Sequence, residues 1–407
     1  MSASAARQPG QAEFIALLAF VMALISLSID NLLPAFAPIR SELGIANPND
    51  LQLIVTVYML GSAPMQIVYG TLADVVGRRP TLLVGLVMYA LGAMVGVLAA
   101  SYPQLLAGRV IQGMGAAAIQ VLAVALIRDR HEGGDMARVL SLVFMVFILV
   151  PVVAPALGSL CILLWGWRSV FASMLLMALV AGLWFGLRMP ETLSPQHRRR
   201  FSAAQLWQGV RITFAQRSAI GHSLAIALFM GCLMSYVSSS QQIFETEVYA
   251  LGKWFPLAFG GIAAVMGVAF FANSHLVRSF GMHRLSHVCL LLFVGCAAVL
   301  AVVVLAWQGK PPLWLFVLLL SAIQFLMCLT MPNFNAIAME PLGAVAGTAS
   351  AVLGVLTTLG GALIGIVVGA NFDGTLRPLA LTYLACAVLA LLAVLWGERG
   401  ALRLGRA

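Results

Sequence analysis

Charged side chains are scarce in this 407-residue chain. Asp, Glu, Lys and Arg together make up 9% of the residues, whereas a soluble globular domain carries about 25%. Apolar side chains make up 62%, and the mean hydropathy is +1.01. This balance excludes a soluble enzyme and indicates a chain that crosses a membrane many times.

Lysine is nearly absent, and no nucleotide-binding loop is present. The only lysines, Lys253 and Lys310, precede Trp254 and Pro311, so the Gly-Lys-Ser/Thr ending of a phosphate-binding Walker loop is missing. The net charge of +9 comes almost wholly from arginines scattered over short loops, which argues against nucleic acid as a partner. We therefore expect no ATP site and no cofactor, with the proton gradient as the energy source.

Motifs of metal binding and of membrane enzymes are also lacking. The six cysteines have no short paired spacing, so neither a disulfide framework nor a zinc knuckle is indicated. His283 and His287 have an i, i+4 spacing that could hold zinc, but they lack a clear third ligand. We therefore expect a solvated helix end there and no metal site. The absence of HExxH and GxSxG motifs argues against an integral membrane enzyme.

Long apolar runs predict an all-α integral membrane protein with twelve transmembrane helices in two six-helix bundles. The first run has no small-residue cleavage signal, so we interpret it as a transmembrane helix and not as a signal peptide. The predicted spans are 14–37, 51–72, 81–100, 103–127, 138–160, 167–187, 218–241, 254–276, 285–306, 312–336, 345–370 and 377–396.

One long hydrophilic interruption divides these spans. It predicts an N-terminal bundle at 1–187, a cytoplasmic linker at 188–217 and a C-terminal bundle at 218–407. A faint repeat between 72–79 and 276–283 is typical of a duplicated six-helix unit. Of the 23 basic residues, 17 fall on the side of the two termini and four on the other side. Because positive charge collects on the inner side, both termini are predicted to be cytoplasmic.

Two ionisable residues lie well inside predicted spans. Asp30 lies about 16 residues, or about 24 Å, along the first span, and Arg109 lies about 9 Å from the outer start of the fourth. A charge near the bilayer centre costs roughly 2.5–3.5 kcal/mol even on insertion scales, and intramembrane acids are usually functional. The two residues could face one another, with Asp30 as a proton carrier that responds to Arg109. The alternative is a static ion pair that holds two helices together.

Several motifs resemble the major facilitator superfamily. The segment 70–80, Gly-Thr-Leu-Ala-Asp-Val-Val-Gly-Arg-Arg-Pro, looks like its motif A, and Leu105-x3-Arg109-x2-Gln112-Gly113-x-Gly115 looks like its motif B. Further segments are similar to the bicyclomycin-resistance (Bcr/CflA) group of drug:proton antiporters. They are Ser28-Ile29-Asp30, Leu33-Pro34, Arg128-Asp129, Pro151-x2-Ala154-Pro155-x-Leu157-Gly158, Trp167-Arg168 and Pro190-Glu191-Thr192-Leu193.

The resemblance implies a conformational gate and a coupling pair. Asp74 would face the positive inner end of the helix at 345–370 and, with Arg78 and Arg128, would latch one conformation. Arg109 would bind Asp30 or sense its protonation. The gate residues implied are Gly70, Asp74, Gly77, Arg78, Arg79, Arg128, Asp129, Pro151, Pro155 and Gly158. This chain has Ala154 and Ser159 where the family has glycines, and small residues there still permit close helix approach.

Substrate contacts are sought among aromatic, methionine and amide side chains at mid-span, because adaptable Met-rich surfaces accept varied apolar ligands. The same side chains could instead be core packing. The candidates are Asp30, Tyr58, Met65, Arg109, Phe147, Tyr236, Gln241 and Asn335.

Together these features predict a proton-driven exporter of small, mostly apolar drugs in a bacterial inner membrane. The alternative is a transporter of a natural metabolite, for export or uptake, because a fold does not fix its substrate or direction. The expected partners are a drug-like small molecule, protons and the lipid bilayer. Gly361, Gly365 and Gly369 form a ridge of small residues, which we expect to pack within the fold. A monomer is therefore expected.

Overall fold

The structure, a computed structural model, describes residues 9–131, 133–193, 202–400 and 402. Within these ranges the side chains of 133–138, 140, 141, 144–149, 203, 205, 344 and 346 are not described. The described residues form helices and connecting turns, with no strand among them, which confirms the predicted all-α class.

Fourteen α-helices follow one another among the described residues. The first seven are α1 (Gln11–Asp30), α2 (Phe36–Leu43), α3 (Leu53–Val75), α4 (Arg78–Val97), α5 (Tyr102–Arg130), α6 (Gly133–Trp165) and α7 (Arg168–Arg188). The second seven are α8 (Ala203–Ala215), α9 (Arg217–Ser240), α10 (Phe255–Phe280), α11 (Met282–Ala306), α12 (Leu313–Met339), α13 (Ala346–Ala370) and α14 (Arg377–Gly397).

All twelve predicted spans fall on these helices. By length and composition, eleven spans among the described residues could cross a membrane, and α6 adds a shorter apolar segment, Val150–Trp165. Chain chemistry sets several boundaries, because proline has no N–H to leave unpaired in a first turn. Pro103, Pro256 and Pro378 lie in the first turns of α5, α10 and α14. The chain is therefore a multi-pass membrane protein.

The first predicted span is interrupted in the structure. α1 ends at Asp30, a short 3-10 turn follows at Leu33–Ala35, and α2 begins at Phe36. Pro34 explains the break, because a proline ring clashes with the carbonyl of the residue four positions earlier, which here is Asp30. The sequence-based span of 14–37 missed this interruption. The break leaves the acid at a helix end.

The structure divides into two compact units. One contains the described residues up to Ala46 together with Val57–Ala203, and the other contains Asn47–Thr56 together with the described residues from Ala204 onward. The predicted linker, 188–217, contains the 13-residue helix α8, which sequence patterning did not reveal. Trp207 and Phe214 of α8 are exposed.

In the first unit, glycines allow α5 to approach α3 and α4 closely. A Cβ atom at Gly115 would overlap the Tyr89 nitrogen and the Gly85 carbonyl oxygen of α4. A Cβ atom at Gly113 would overlap the Tyr58 carbonyl of α3. Because lipid tails are as apolar as the side chains, close backbone packing of this kind drives helix association in membranes. The small residues of motif B therefore fix the positions of three helices.

In the second unit, α9 packs against α12, α13 and α14. The glycine ridge of α13 contacts α9, since Cβ atoms at Gly361 and Gly365 would meet the side chains of Met230 and Met234. The segment Asn47–Thr56 packs on the end of α13, and the amide of Gln52 donates to Gln242 over 2.6 Å. The ridge thus packs within its own unit.

We predict that Gly115→Ala destabilises the first unit, because its new methyl group would overlap backbone atoms that cannot rotate away. Overpacking of this kind costs about 1–3 kcal/mol. The measurement is the midpoint of thermal unfolding in detergent. Gly182→Ala in α7 is the control, since a Cβ atom there meets nothing within 4 Å. Equal midpoints for the two variants would contradict the proposed packing.

Candidate functional site

The candidate coupling acid, Asp30, lies at the last position of α1 and is buried, with 6% of its surface exposed. Its carboxylate oxygen Oδ2 accepts a hydrogen bond of 2.7 Å from the hydroxyl of Ser26, one turn earlier. No ion pair within 4.0 Å to Asp30 occurs among the described residues. The acid is therefore held by a neutral donor inside the first unit.

Arg109, the candidate partner of Asp30 in coupling, lies on α5 and is fully buried. Its Nη1 atom donates a 2.5 Å hydrogen bond to Gln112 Oε1, and its guanidinium carbon lies 4.4 Å from the centre of the Tyr58 ring. A buried cation–π contact of this kind is worth about 2 kcal/mol. The amide of Gln112 in turn donates to the sulfur of Met174 over 3.4 Å. Arg109 is thus held by an amide and an aromatic face.

The helix crossing described above explains why Tyr58 reaches Arg109. The backbone carbonyl of Tyr58 lies where a Cβ atom of Gly113 would be, so α3 and α5 touch at this level. A second close approach follows one turn along, where a Cβ atom at Gly61 would overlap the Val110 carbonyl. The motif B glycine therefore brings the aromatic ring under the guanidinium.

A hydroxyl pair connects the neighbourhood of Asp30 to α4. The hydroxyl groups of Ser28 and Tyr89 share a hydrogen bond, and the Leu24 carbonyl oxygen lies 2.6 Å from the Ser28 hydroxyl and 3.1 Å from the Tyr89 hydroxyl. Because each hydroxyl has one hydrogen, one of the two donates to the other, which donates to that carbonyl. Both side chains are buried. Sequence reasoning singled out neither the role of Tyr89 nor that of Gln112, because a polar residue on an apolar helix does not reveal its partner.

One α6 residue of the predicted gate, Gly158, lies against the break after α1. Pro151 and Pro155 lie inside α6, and Gly158 follows one turn later. A Cβ atom at Gly158 would overlap both the backbone carbonyl and the side-chain oxygen of Asn31. The glycine therefore allows α6 to contact the residue that follows Asp30.

The motif A residues form a charge cluster around one buried arginine at one end of the first unit. Arg78 is 5% exposed. Its Nη1 atom lies 2.6 Å from Asp74 Oδ1, and its Nε atom lies 3.2 Å from Asp129 Oδ2. One guanidinium therefore joins α3, α4 and α5. The described residues show no ion pair between Arg128 and Asp74, and Arg128 is exposed.

A third carboxylate, that of Glu191, lies at the N-terminus of α4. It accepts hydrogen bonds from the backbone nitrogens of Arg78 (2.9 Å), Arg79 (3.2 Å) and Leu193 (3.0 Å). A carboxylate is favoured there by the unpaired amides and by the positive end of the helix dipole. A Cβ atom at Gly77 would overlap the Glu191 carboxylate, and Gly77 has a φ of +125°. Glycine thus makes room for this cap.

The side chains of two other gate residues take no part in the ion pairs of Arg78. The Arg79 side chain donates to the Gly186 carbonyl at the end of α7 over 2.6 Å. Gly70 has space, since a methyl group there would lie 3.8 Å from the Val121 side chain, an ordinary contact distance. Within the first unit, Gly70 is therefore not required for close packing.

The predicted substrate residues occupy different environments. Tyr58 is buried under Arg109, whereas Met65 lines an open apolar depression with Leu60 and Val110. The side chain of Phe147 lies outside the described residues. In the second unit, Tyr236 and Gln241 are buried, and Tyr236 stacks on Phe259 with ring centres 5.7 Å apart.

Asn335 on α12 is exposed, whereas its neighbour Asn333 is buried. The amide of Asn333 donates to Asn273 Oδ1 of α10 over 2.8 Å. This amide pair was missed in the sequence, where the two asparagines lie 60 positions apart.

The expectation of a solvated end at His283 and His287 is wrong for His287. Its side chain is fully buried, because α11 packs there against α9 and α14. His222 of α9 and Glu398 after α14 lie beside it. The sequence could not show this grouping, since the three residues belong to three separate helices.

A buried acid, a buried arginine and an ion cluster within apolar helices define a membrane transporter. The family model of the Major Facilitator Superfamily matches residues 18–365. The chain belongs to that family, which confirms the resemblance found in its motifs.

Proteins with similar sequences match this chain over most of its length. It is 27% identical over 384 residues to the bicyclomycin resistance protein homolog of Haemophilus influenzae, a match covering 93% of this chain and 94% of that protein. It is 30% identical over 336 residues to multidrug resistance protein D of Escherichia coli, covering 81% of each. The solved structure of the E. coli xylose transporter XylE, in a partially occluded inward open conformation, is similar with a TM-score of 0.73. At 14% identity, over 98% of this chain and 99% of that one, this similarity concerns the fold alone.

We predict that Glu191→Gln destabilises the first unit, because an amide cannot match a carboxylate that caps a helix N-terminus. Interactions of charges with helix ends contribute about 0.3–1 kcal/mol, and up to about 2 when partly buried. The control is Glu42→Gln, whose carboxylate is 49% exposed and pairs with Arg168, a type of pair worth about 0–1 kcal/mol. Thermal unfolding midpoints test this. A smaller effect at Glu191 than at Glu42 would contradict the cap.

Proposed function

We propose that this chain exports small, mostly apolar drugs or antibiotics across a bacterial inner membrane in exchange for protons, by alternating access. The observation that carries the proposal is the buried carboxyl group of Asp30, which receives only a neutral serine donor among the described residues. The names of the two curated relatives, a bicyclomycin resistance protein homolog and a multidrug resistance protein, support the substrate class.

Asp30 is proposed as the proton carrier. A carboxylate at membrane depth costs several kcal/mol unless a cation or several donors compensate it. Here one hydroxyl compensates it, at the carboxyl end of a helix, where the helix dipole opposes a negative charge. Protonation removes that cost. A proton taken up from outside and released inside would therefore change the stability of the surrounding packing in each half of the cycle.

Arg109 is proposed as the partner that responds to this charge. Its guanidinium donates to the neutral amide of Gln112 and lies over the ring of Tyr58. A guanidinium held in this way can exchange a weak acceptor for a carboxylate when Asp30 loses its proton. The hydroxyl pair of Ser28 and Tyr89 offers a route by which such a change would reach α4.

The motif A cluster is proposed as the gate. Arg78 binds Asp74 and Asp129, and Glu191 anchors the start of α4, so the ends of α3, α4, α5 and α7 move as one body. Pro151, Pro155 and Gly158 of α6 are proposed to transmit motion from the break beside Asp30. The contact of Asp74 with the start of α13 stays a prediction.

The substrate contacts, topology and domain roles are proposed as follows. Tyr58, Met65, Phe147, Tyr236, Gln241 and Asn335, with Asp30 and Arg109, would contact the drug, because ligand sites combine many apolar groups with few polar ones. Both termini would be cytoplasmic, as the asymmetry of basic residues indicates. The protein would act as a monomer. Its two bundles, 1–187 and 218–407, would be joined by the linker 188–217 and would rock about a central substrate site.

Transport in everted membrane vesicles tests the proposed function. Addition of a drug to energised vesicles should dissipate part of the pH gradient, and expression in a drug-sensitive bacterium should raise the inhibitory concentration. A panel of apolar antibiotics should be compared with sugars and amino acids. Proton movement on a natural metabolite alone would favour the metabolite transporter. No proton movement with any compound would remove proton coupling.

We predict that Asp30→Asn abolishes drug-induced proton movement, because the amide has the shape of the acid but carries no titratable proton. Folding should be preserved, since the amide can still accept from Ser26. Asp373→Asn, at an exposed acid of the second unit, is the matched control and should transport normally. A pH gradient that still drives efflux by the Asp30 variant would refute the carrier assignment.

We predict that Arg109→Ala and Arg109→Lys both lose coupled efflux. Lysine keeps the positive charge but has neither the planar face that stacks on Tyr58 nor the forked geometry of the donors. Drug-induced proton flux measures coupling, and drug binding to purified protein separates it from substrate affinity. Full coupled transport by the lysine variant would show that charge alone is needed, and full transport by the alanine variant would show a structural role.

A further inference from the structure

Two histidines and a glutamate meet at one end of the second unit, whereas Asp30 and the motif A cluster belong to the first. His222 and His287 are fully buried, and the side chain of Glu398 is 8% exposed. One ligand atom from each residue lies within 4.8 Å of the others. This group is the cluster of three potential metal ligands found among the described residues.

Two of the three residues lie on different helices, and the third directly follows another helix. His222 lies in the second turn of α9, His287 lies in the second turn of α11, and Glu398 directly follows α14. The rings of His222 and His287 stack with centres 6.3 Å apart. The grouping is therefore a product of tertiary packing, and anything bound at it would connect the ends of α9, α11 and α14.

The hydrogen bonds of His222 fix which ring nitrogen is available. Its Nδ1 atom lies 2.8 Å from the backbone carbonyl of Ser218, an acceptor, so Nδ1 carries the proton and donates it. Nε2 of the neutral ring then has a lone pair. That atom has no hydrogen bond among the described residues and lies 3.7 Å from the carboxylate oxygen Oε1 of Glu398. A buried lone pair facing a carboxylate is unfavourable unless a cation or a proton lies between them.

This arrangement is the one used by histidines that bind metals. A ligating imidazole commonly donates its second nitrogen to a backbone carbonyl, which fixes the ring and strengthens the free nitrogen as a ligand. Two imidazoles and one carboxylate are the ligand set of many zinc sites, with water in the fourth position. At bond lengths of about 2.0–2.2 Å, tetrahedral ligand atoms lie roughly 3.4 Å apart. The 3.7 Å separation of Nε2 and Oε1 is close to that value.

The surroundings contribute one further histidine–acid pair and an apolar wall. His283 lies 4.0 Å from the carboxylate of Glu340 and packs its ring 6.2 Å from that of His287. The ring of Phe334 lies edge-on to His222 at 5.0 Å. The nearby Arg217 donates to the carbonyl of Trp396. With both imidazoles neutral, the three residues themselves carry a charge of −1, which is opposite in sign to that of a divalent cation.

We propose that His222, His287 and Glu398 bind a divalent transition-metal ion of the zinc type, which ties together the ends of α9, α11 and α14. Imidazole and carboxylate ligands suit Zn²⁺ better than the all-oxygen sites of Ca²⁺ or Mg²⁺. The proposal does not depend on the transported substrate.

Titration of detergent-purified protein without a polyhistidine tag tests the site. Calorimetry with ZnCl₂ should give one equivalent bound, and MgCl₂ should give none. His222→Ala and His287→Ala should each weaken zinc binding by about tenfold or more, because each removes one of three ligands. The matched control is His275→Ala, at an exposed histidine of α10, which should bind zinc as the unchanged protein does.

A conservative variant and a spectroscopic measurement cover the case in which the alanine variants do not fold. Glu398→Gln keeps the shape of the side chain and should also weaken zinc binding, with an unchanged elution profile. X-ray absorption should report zinc bound to nitrogen at about 2.0–2.1 Å, with two histidines. Absence of stoichiometric zinc, or equal binding by Glu398→Gln and His275→Ala, would overturn the proposal. A different result would be that zinc has no effect and that Glu398→Gln removes a pH dependence of the unfolding midpoint. That result would overturn the metal site and show that His222 and Glu398 share a proton instead.

Discussion

The cost of an unpaired polar group in an apolar interior is the constraint on which the rest of this structure depends. Where water is absent, a backbone N–H or carbonyl must bond within its own helix, and each buried side-chain charge needs a partner. The described chain meets the first requirement with long helices. It meets the second at Arg78, which pairs with two carboxylates, whereas Asp30, the proposed centre of coupling, receives one neutral donor among the described residues.

Small residues and a proline convert that constraint into a specific site. Gly113 brings α3 against α5 so that Tyr58 covers Arg109, and Pro34 ends α1 so that Asp30 lies at a helix terminus. Gly158 then allows α6 to contact the residue after the acid. Each of these effects is steric. The surroundings of Asp30 and of Arg109 therefore depend on backbone approach as much as on the two charged groups themselves.

The ends of the helices carry a different kind of polar structure. Two carboxylates, those of Asp74 and Asp129, contact the guanidinium of Arg78, and a third, that of Glu191, accepts from the amides at the start of α4. One end of the first unit is therefore a single charged network. Around His222, the second unit has a cluster with an available imidazole nitrogen beside a carboxylate. In the first network a cation, Arg78, is already present between carboxylates. The second consists of two imidazoles and one carboxylate, which is a ligand set for a metal cation.

The sequence by itself determined the class, the spans and which ionisable residues lie within those spans, because these follow from local properties. Hydropathy is a property of each run of residues, so the twelve spans could be read directly, and a lone Asp30 or Arg109 stands out in any apolar run. Motif spacing likewise identified Asp74 and Arg78.

The tertiary structure alone decided which polar groups meet. Arg78 pairs with Asp129 as well as with Asp74, Glu191 caps a helix more than 100 positions earlier in the chain, and His287 is buried beside Glu398. The physical reason is that partnership depends on how helices cross and which faces they bury. Those choices are made by packing among residues far apart in the chain, where hydropathy and local spacing carry no information.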